Sequence, residues 1–407
     1  MSRNGTDVAV VGGGAVGASI ALELARGGAS VTLLERGPEL AWGCSAGNAG
    51  IVGASHVVPL AEPAAVRDGL RWMTRPDSPF FVRPRPQVLP WLLRFVAAAT
   101  PPRVRRHRAV LRALATHSAA LHADLEQAGL DAGYRRAGLL NVYRDPRAYG
   151  RALRDGGQDG SLPGLSPGFA GAVLEPDEAH CDPLRFVEAV GALAAAEGVD
   201  IRTGVEVLGL RRSNGRVSSL WTTAGELVAD RVVLAAGVWT GELARSVGVR
   251  LPLEGGKGYH VDLEAGPGDP ELPVWLDESR VVITPLEGRL RLAGTLELTG
   301  TDRGVDARRV DAIVAAARRA LPHLASRRTL EVWRGLRPCT PDGLPAIGRA
   351  PQVENAVLAT GHGMWGLQLA PLTARLVAAL VAGERPEHDL APLRPDRFQR
   401  NAGSTTS

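Results

Sequence analysis

The 407-residue sequence predicts an α/β protein with an α+β second lobe, and three observations carry that prediction. Residues 7–35 read as a strand, a tight glycine turn, a helix and a second strand. Two further apolar strands, 228–235 and 357–360, each run into small residues ahead of a helix. Between them, 258–298 breaks into short strands separated by turns, the texture of an antiparallel sheet.

In the N-terminal unit, the continuous apolar run 8–11 suits a strand buried on both faces of a parallel sheet. Ile20, Leu22 and Leu24 then lie on an alanine-rich helix, and 31–34 is the next strand. An irregular stretch rich in small residues covers 37–53, and a helix is expected over 61–73. Proline and arginine punctuate 75–90, with helices over 91–99 and 103–128. Residues 134–143 read as a strand pair or as one strand broken near Gly138, and 156–171 as a glycine-rich loop.

A helix opened by Pro183 covers 183–196, followed by short strands at 199–202 and 205–210. Asn214-Gly215 marks a hairpin whose second arm is 216–223. After the strand 228–235 comes a helix over 239–247. The second lobe contributes strands at 259–263, 274–276, 281–284 and 290–296, a helix at 306–321 and a strand at 329–337. The last strand, 357–360, leads into a helix ending at Ala382, and the tail beyond Gln399 is loose. The expected division is a nucleotide-type domain in three pieces, 1–75, 184–250 and 336–398. The inserted lobe comes in two, 76–183 and 251–335.

Composition narrows the function. With 45% hydrophobic and 22% charged residues the chain is globular rather than disordered or fibrous. A net charge of +4 and only 4% aromatics argue against nucleic-acid binding. Cys44, Cys181 and Cys339 are too scattered for a zinc site or a disulfide framework, so no metal is expected and a reducing cytoplasm is the natural setting. No apolar run approaches the roughly 18 residues of a membrane span. The arginine-rich stretch from Arg83 to Arg108, interleaved with Trp91, Leu92, Leu93 and Phe95, is the candidate for peripheral membrane contact, against the simpler reading of a surface helix.

Gly12, Gly14 and Gly17 form a GxGxxG turn with Ala15 and Val16 opening the helix. The first glycine permits the turn, the second lets backbone approach a pyrophosphate, and the third lets helix and strand pack closely. Pyrophosphate then sits on unpaired helix amides. Glu35, 23 residues beyond Gly12, suits ribose hydroxyls and would repel a 2′-phosphate. Later segments favour FAD over NAD. Ser45–Gly50 (SAGNAG, with Asn48, Ala49 and Gly50) could lie against a bulky planar ring. Ala236, Gly237 and Trp239 close the strand 228–235 beside adenosine or phosphate. Gly361, Gly363 and Met364 belong to GHGMWG, ahead of a helix whose amino end can face the flavin pyrimidine oxygens.

These segments, with GGKGYH, GLRPCTPDGLPAIG and ATGHGMWGLQLAP, resemble FAD-dependent amine oxidoreductases of the D-amino-acid oxidase superfamily, closest to the bacterial D-amino-acid dehydrogenase and D-hydroxyproline dehydrogenase branch. The resemblance spans nearly the whole chain. It implies an FAD-binding Rossmann-like domain with an inserted antiparallel-sheet substrate domain. It also implies hydride transfer from Cα of a D-amino or cyclic amino acid, such as D-proline or D-hydroxyproline, to flavin N5. The product is an imino acid, or a 2-oxo acid plus ammonia. FAD is expected bound but not covalently linked. Electrons would pass to a quinone, another acceptor or oxygen, and a quinone would bring the chain to the inner face of the cell membrane. The alternatives are a glycine/sarcosine-type or amine oxidase and a non-catalytic FAD-binding partner protein.

Carried over position by position, the resemblance makes Arg337 the clamp for the substrate carboxylate, a task that suits a planar guanidinium. Tyr259 is a weaker candidate for the same carboxylate, with His260 alternating away from it on the strand. His362 is placed near the flavin ring without being assigned as a base, and His56 as a candidate cavity residue. Arg36, Val205, Gly237 and Trp239 join the FAD contacts near adenosine and pyrophosphate. Lys257, the only lysine, is given a structural or surface role.

Overall fold

The computed structural model describes residues 6–63, 65–67 and 79–399. The helix expected over 61–73 falls largely outside the described residues, as does the expected boundary at 75/76. The strand Asp7–Val11 lies at the centre of a six-stranded sheet. Ser30–Leu34 and then Asp200–Arg202 extend it in parallel on one side, and Arg231–Leu234 and Ala356–Thr360 on the other. Ala346–Arg349 adds an antiparallel edge. Helices Ala15–Arg26, Pro183–Ala196 and Gly366–Ala382 bury one face of this sheet. A three-stranded sheet, Val207–Ser213, Arg216–Thr222 and Gly225–Leu227, covers the other. Its first hairpin turns through Asn214 (φ 51°) and Gly215 (φ 72°), the paired positive φ values that an Asn-Gly turn supplies.

The second lobe is built on a nine-stranded sheet. Its long strands are Thr329–Cys339, Glu254–Glu264 and Arg289–Leu298, paired antiparallel in that order. Val281–Leu286, Val274–Leu276, Leu139–Tyr143, Gly171–Glu175 and Gln158–Gly160 continue outward, and Phe80–Val82 pairs beside Arg289–Leu298. Two pairings are parallel, Val274–Leu276 with Leu139–Tyr143 and Phe80–Val82 with Arg289–Leu298. Helix Ala307–Ala320 packs on one face of this sheet.

Several elements differ from the sequence reading for one reason: they are too short to show a period. Gln158–Gly160, expected as loop, is an exposed edge strand. Phe80–Val82 and Ala346–Arg349 carry no alternation over three and four residues. The helix expected over 239–247 splits into a 3₁₀ turn at Gly237–Trp239 and a helix at Thr240–Ser246.

The register of the two longest strands sets the functional geometry. Gly256 pairs with Arg337, Gly258 with Gly335, His260 with Trp333 and Asp262 with Glu331. Directly paired residues share a face, so these eight point to one side of the sheet. That side meets the nucleotide-type domain, because Trp333 lies against Gly47 and Arg291 donates to the carbonyls of Ala46 (2.6 Å) and Asn48 (3.1 Å). Tyr259, Val261 and Leu263 take the other side and pack under helix Ala307–Ala320.

Candidate active site

An open crevice of about 350 Å³ runs from the carboxyl ends of the parallel strands toward the second lobe. Its floor is the glycine turn. Gly12 adopts φ 111°, and a Cβ there would lie 2.5 Å from the Ala235 carbonyl oxygen. A Cβ on Gly17 would overlap the Gly12 carbonyl, so the helix approaches the turn as closely as a backbone can. At Gly14 the added atom would meet Ser45 Oγ at 3.0 Å. Ser45 Oγ also accepts from the Ala15 amide at 3.0 Å. Val16 lines the crevice beside Gly14 and Ala15.

Glu35 is buried, and its carboxylate organises two turns. Oε2 accepts from Gly13 N at 2.7 Å and Oε1 from Gly37 N at 2.7 Å. Each oxygen keeps a further lone pair for a ligand. The Arg36 guanidinium stacks on the Trp239 ring with Cζ 3.5 Å from its centroid, forming one wall of the crevice. Val205 lines that end, but its amide donates to the Glu35 carbonyl at 2.9 Å. Of the backbone groups expected at Val205, only the carbonyl is left for a ligand. Ala236 and Gly237 (φ 56°) lie alongside, and nothing approaches a Cβ position on Gly237 within 4 Å.

At the far end, the loop carrying Ser45–Gly50 is held from three directions. Asn48 Nδ2 donates to the Met364 carbonyl (3.0 Å), and Asn48 Oδ1 accepts from Gly50 N (2.9 Å). Thr284 Oγ1 donates to the Ala49 carbonyl (2.8 Å), and Arg291 supplies the third hold. Gly361 (φ 75°) and Gly363 (φ 57°) turn the chain into the last helix. His362 sits between them, 3% exposed, with Nε2 3.1 Å from Thr373 Oγ1. Burial lowers its pKa to about 4, so the ring is neutral near pH 7.

Arg337 lies half-buried above Gly258, with Leu336, Pro338 and Cys44 on the crevice wall around it. Nη1 donates to the Thr295 carbonyl at 2.9 Å. Burial pushes its pKa down, and the nearby Cys339 and Cys44 thiols are the groups opposing that shift. Among the described residues no carboxylate pairs with it. Other half-buried arginines do have one, as Arg85 has Glu254 and Arg289 has Asp182, whereas Arg303, which lines the crevice, likewise has none among the described residues.

The structure corrects one of the expected substrate residues, Tyr259. Tyr259 faces away from Arg337, is 1% exposed and donates its hydroxyl to Glu297 Oε2 at 2.8 Å. That carboxylate also pairs with Lys257 (3.2 Å) and Arg309 (3.1 Å), which places the single lysine in a buried ion-pair network. The sequence placed Tyr259 and His260 on opposite faces, and it is His260 that shares the face of Arg337. Like Arg337, His56 is not itself among the residues lining the crevice. It bridges Ser55 Oγ (2.7 Å) and Asn141 Oδ1 (2.6 Å) and tilts against Trp275, so it anchors the loop to the second lobe.

Crevice residues that sequence reasoning missed are Trp42, Cys44, Arg303 and Thr360. Trp42 and Arg303 occupy loops outside any motif, whereas Thr360 stands within ATGHGMWGLQLAP and Cys44 directly precedes Ser45–Gly50. Trp42 and Arg303 also border a second cavity, lined by His260, Asp262, Glu331 and Trp333. The first three of these converge within 4.8 Å. Asp262 there accepts both Nε and Nη2 of Arg291 at 2.9 Å and meets Arg289 at 3.0 Å, so arginine is the cation it serves.

Comparison with known proteins places this architecture. The family model for FAD dependent oxidoreductases (DAO) matches residues 7–380. A D-amino acid dehydrogenase of Paramagnetospirillum magneticum is 33% identical, the match covering 96% of this chain and 98% of that one. A D-amino-acid oxidase of Bradyrhizobium diazoefficiens is also 33% identical, over 97% and 99%. Among solved structures, glycine oxidase from Geobacillus kaustophilus superposes with a TM-score of 0.75 at 27% identity, covering 96% of this chain and 98% of that one.

Proposed function

Because the chain belongs to the FAD-dependent oxidoreductase family, with FAD as its non-covalent cofactor, we propose that it oxidises the C–N bond of a D-amino acid whose carboxylate is held by Arg337. One observation carries this reading. Arg337 is a half-buried cation beside the crevice with no carboxylate partner among the described residues. A guanidinium removed from water without an anion is costly, and a substrate carboxylate supplies that anion through two parallel hydrogen bonds.

The crevice fits the cofactor. The glycine turn leaves backbone where a Cβ would intrude, and the positive-φ glycines at 237 and 363 leave open space on its walls. In this reading the turn at Gly12–Gly17 takes the pyrophosphate and Glu35 the ribose. Arg36, Trp239 and the Val205 carbonyl border the adenosine. The Ser45–Gly50 loop and the Gly361–Met364 turn flank the ring. Bound FAD supplies the two-electron acceptor for the substrate Cα–H.

The chain's own work is then positional. Arg337 fixes the carboxylate, which fixes Cα and its hydrogen against the crevice. The buried, neutral His362 stiffens the turn through Thr373 and is not positioned as a strong base. The substrate amine therefore reaches the site neutral, having lost its proton to solvent.

The relatives named as D-amino acid dehydrogenase and D-amino-acid oxidase support the D configuration. D-proline and D-hydroxyproline are the cyclic candidates. The likeness to a glycine oxidase favours a second reading, oxidation of glycine or of N-substituted glycines such as sarcosine. Anaerobic mixing of the FAD-loaded protein with D-amino acids, D-proline, D-hydroxyproline, glycine and sarcosine tests both, read as bleaching of the flavin band. Bleaching by D-amino acids, absent with the decarboxylated amines, supports the proposal. Bleaching by sarcosine and glycine alone supports the second reading. Equal bleaching by the decarboxylated amines overturns the role of Arg337. Reoxidation by air against a quinone then identifies the acceptor.

A further inference from the structure

Lys257 is the only lysine of the chain, and it is 3% exposed. Burying an ammonium costs free energy unless partners surround it. Its partners converge on one turn of the inserted lobe. Nζ donates to Asp302 Oδ2 at 3.1 Å and to the Gly304 carbonyl at 2.8 Å, and it pairs with Glu297 at 3.2 Å. Between Asp302 and Gly304 stands Arg303, whose own carbonyl accepts from Arg334 Nε at 2.9 Å. The chain is therefore tied on both sides of Arg303 and at Arg303 itself.

This turn presents a cation without an anion. The Arg303 side chain is half-buried, lines the crevice, and has no carboxylate or hydrogen-bond partner among the described residues. Burial pushes its pKa down, and the charges acting on it in the same direction are those of Arg334 and Arg36 rather than of Arg337. With Trp42 it also borders the second cavity. Trp42 follows Ala41, whose amide donates to the Gly13 carbonyl at 2.9 Å, so this indole stands next to the glycine turn. Arg303 thus belongs to the Arg36–Trp42 end of the crevice.

The glycine turn itself supplies amides but no positive side chain. Helix Ala15–Arg26 opens with AVGA and has no side-chain cap. The charged residues lining the crevice are Glu35, Glu206 and Glu242 against Arg36 and Arg303. Arg36 already faces Glu206 at 3.9 Å. A doubly charged diphosphate therefore enters a lining short of cations, and Arg303 is the guanidinium that no carboxylate claims.

We propose that Arg303, presented by the turn that Lys257 and Arg334 hold, is the cation of the inserted lobe that binds the FAD diphosphate across the crevice. The proposal rests on the crevice taking FAD, and it goes further by making the cofactor a bridge between the two lobes. A guanidinium meets two phosphate oxygens with parallel hydrogen bonds, a geometry that a single ammonium lacks. Lys257 is a positioning residue, acting through the turn and touching no part of the ligand.

The test is FAD release from the full-length holoenzyme, followed as free-flavin fluorescence after dilution at low and raised salt. R303Q should speed release about tenfold or more, and R303K should recover part of the loss. Raised salt should speed release from the wild type more than from R303Q, because the missing contact is the one that ions screen. K257M should speed release by itself but add less than about twofold to R303Q, since both act through one guanidinium. R303Q removes no internal contact of the side chain, so its result stands whether or not K257M folds. Release from R303Q at the wild-type rate, or faster release with the wild-type salt dependence, overturns the proposal. So does unchanged release with a large rise in the amino-acid concentration that bleaches the flavin, which would make Arg303 a substrate residue. Fully additive rates in K257M/R303Q overturn the positioning role of Lys257. Release is read without amino acid, so its failure is distinct from failure of the Arg337 assignment. A wild-type chain that holds no flavin would instead defeat the cofactor reading itself.

Discussion

Gly258 and Arg337 sit one above the other on adjacent strands, and a Cβ on Gly258 would overlap the guanidinium. The glycine is there to be covered. Its absent side chain is the space in which Arg337 lies, on the face of the sheet opposite Tyr259 and helix Ala307–Ala320.

Gly258→Ala therefore displaces a flexible side-chain end rather than backbone. The expected cost in stability is below about 2 kcal/mol, while KM for the amino acid rises about tenfold to a hundredfold. Steady-state kinetics beside thermal unfolding check this. An unchanged KM would show that the guanidinium position is not what holds substrate.

Arg337→Lys keeps the charge but loses the planar fork, and should lower kcat/KM by roughly a hundredfold. Arg337→Gln should lower it further. Both variants should bind FAD with an unchanged visible spectrum, since the glycine turn is untouched. Loss of FAD in Arg337→Lys would show a structural role instead.

Tyr259→Phe should leave KM within about twofold and destabilise the protein by about 1–3 kcal/mol, because Glu297 loses a buried donor beside Lys257 and Arg309. A large rise in KM with unchanged unfolding would return Tyr259 to the substrate.

Gly17→Ala places a carbon on the Gly12 carbonyl, where only backbone could yield. Loss of FAD and about 3 kcal/mol or more of stability are expected, measured by flavin retention on gel filtration and by denaturant unfolding.

Burial lowers the pKa of His122, His180 and His362 to about 4 in each case. Their unfolded values are near 6.5, so between about pH 6.5 and 4 the unfolded chain binds more protons than the folded one. Stability from these groups is present above that window and is lost as pH falls through it. Denaturant midpoints measured from pH 7 to 4 should fall steadily, and replacing His122 by an apolar residue that fits its space should flatten the slope. A flat wild-type profile would mean these rings ionise without unfolding.

The chain's local patterns set a good deal by themselves. The GxGxxG turn with its helix and flanking strands needs only local φ/ψ and packing constraints, so Gly12, Gly17 and Glu35 were legible from their spacing. The strands at 8–11, 31–34, 228–235 and 357–360 were equally visible, because fully buried parallel strands are apolar throughout. Arg337 stood out through its motif. Tertiary structure decided what period and motif leave open. A strand's alternation says that Tyr259 and His260 face opposite ways, but not which way is the crevice; that depends on which side helix Ala307–Ala320 covers. His56 is held by Asn141, a neighbour 85 residues away. Trp42 and Arg303 reach the crevice from loops whose course is set by long-range contacts and leaves no local signature.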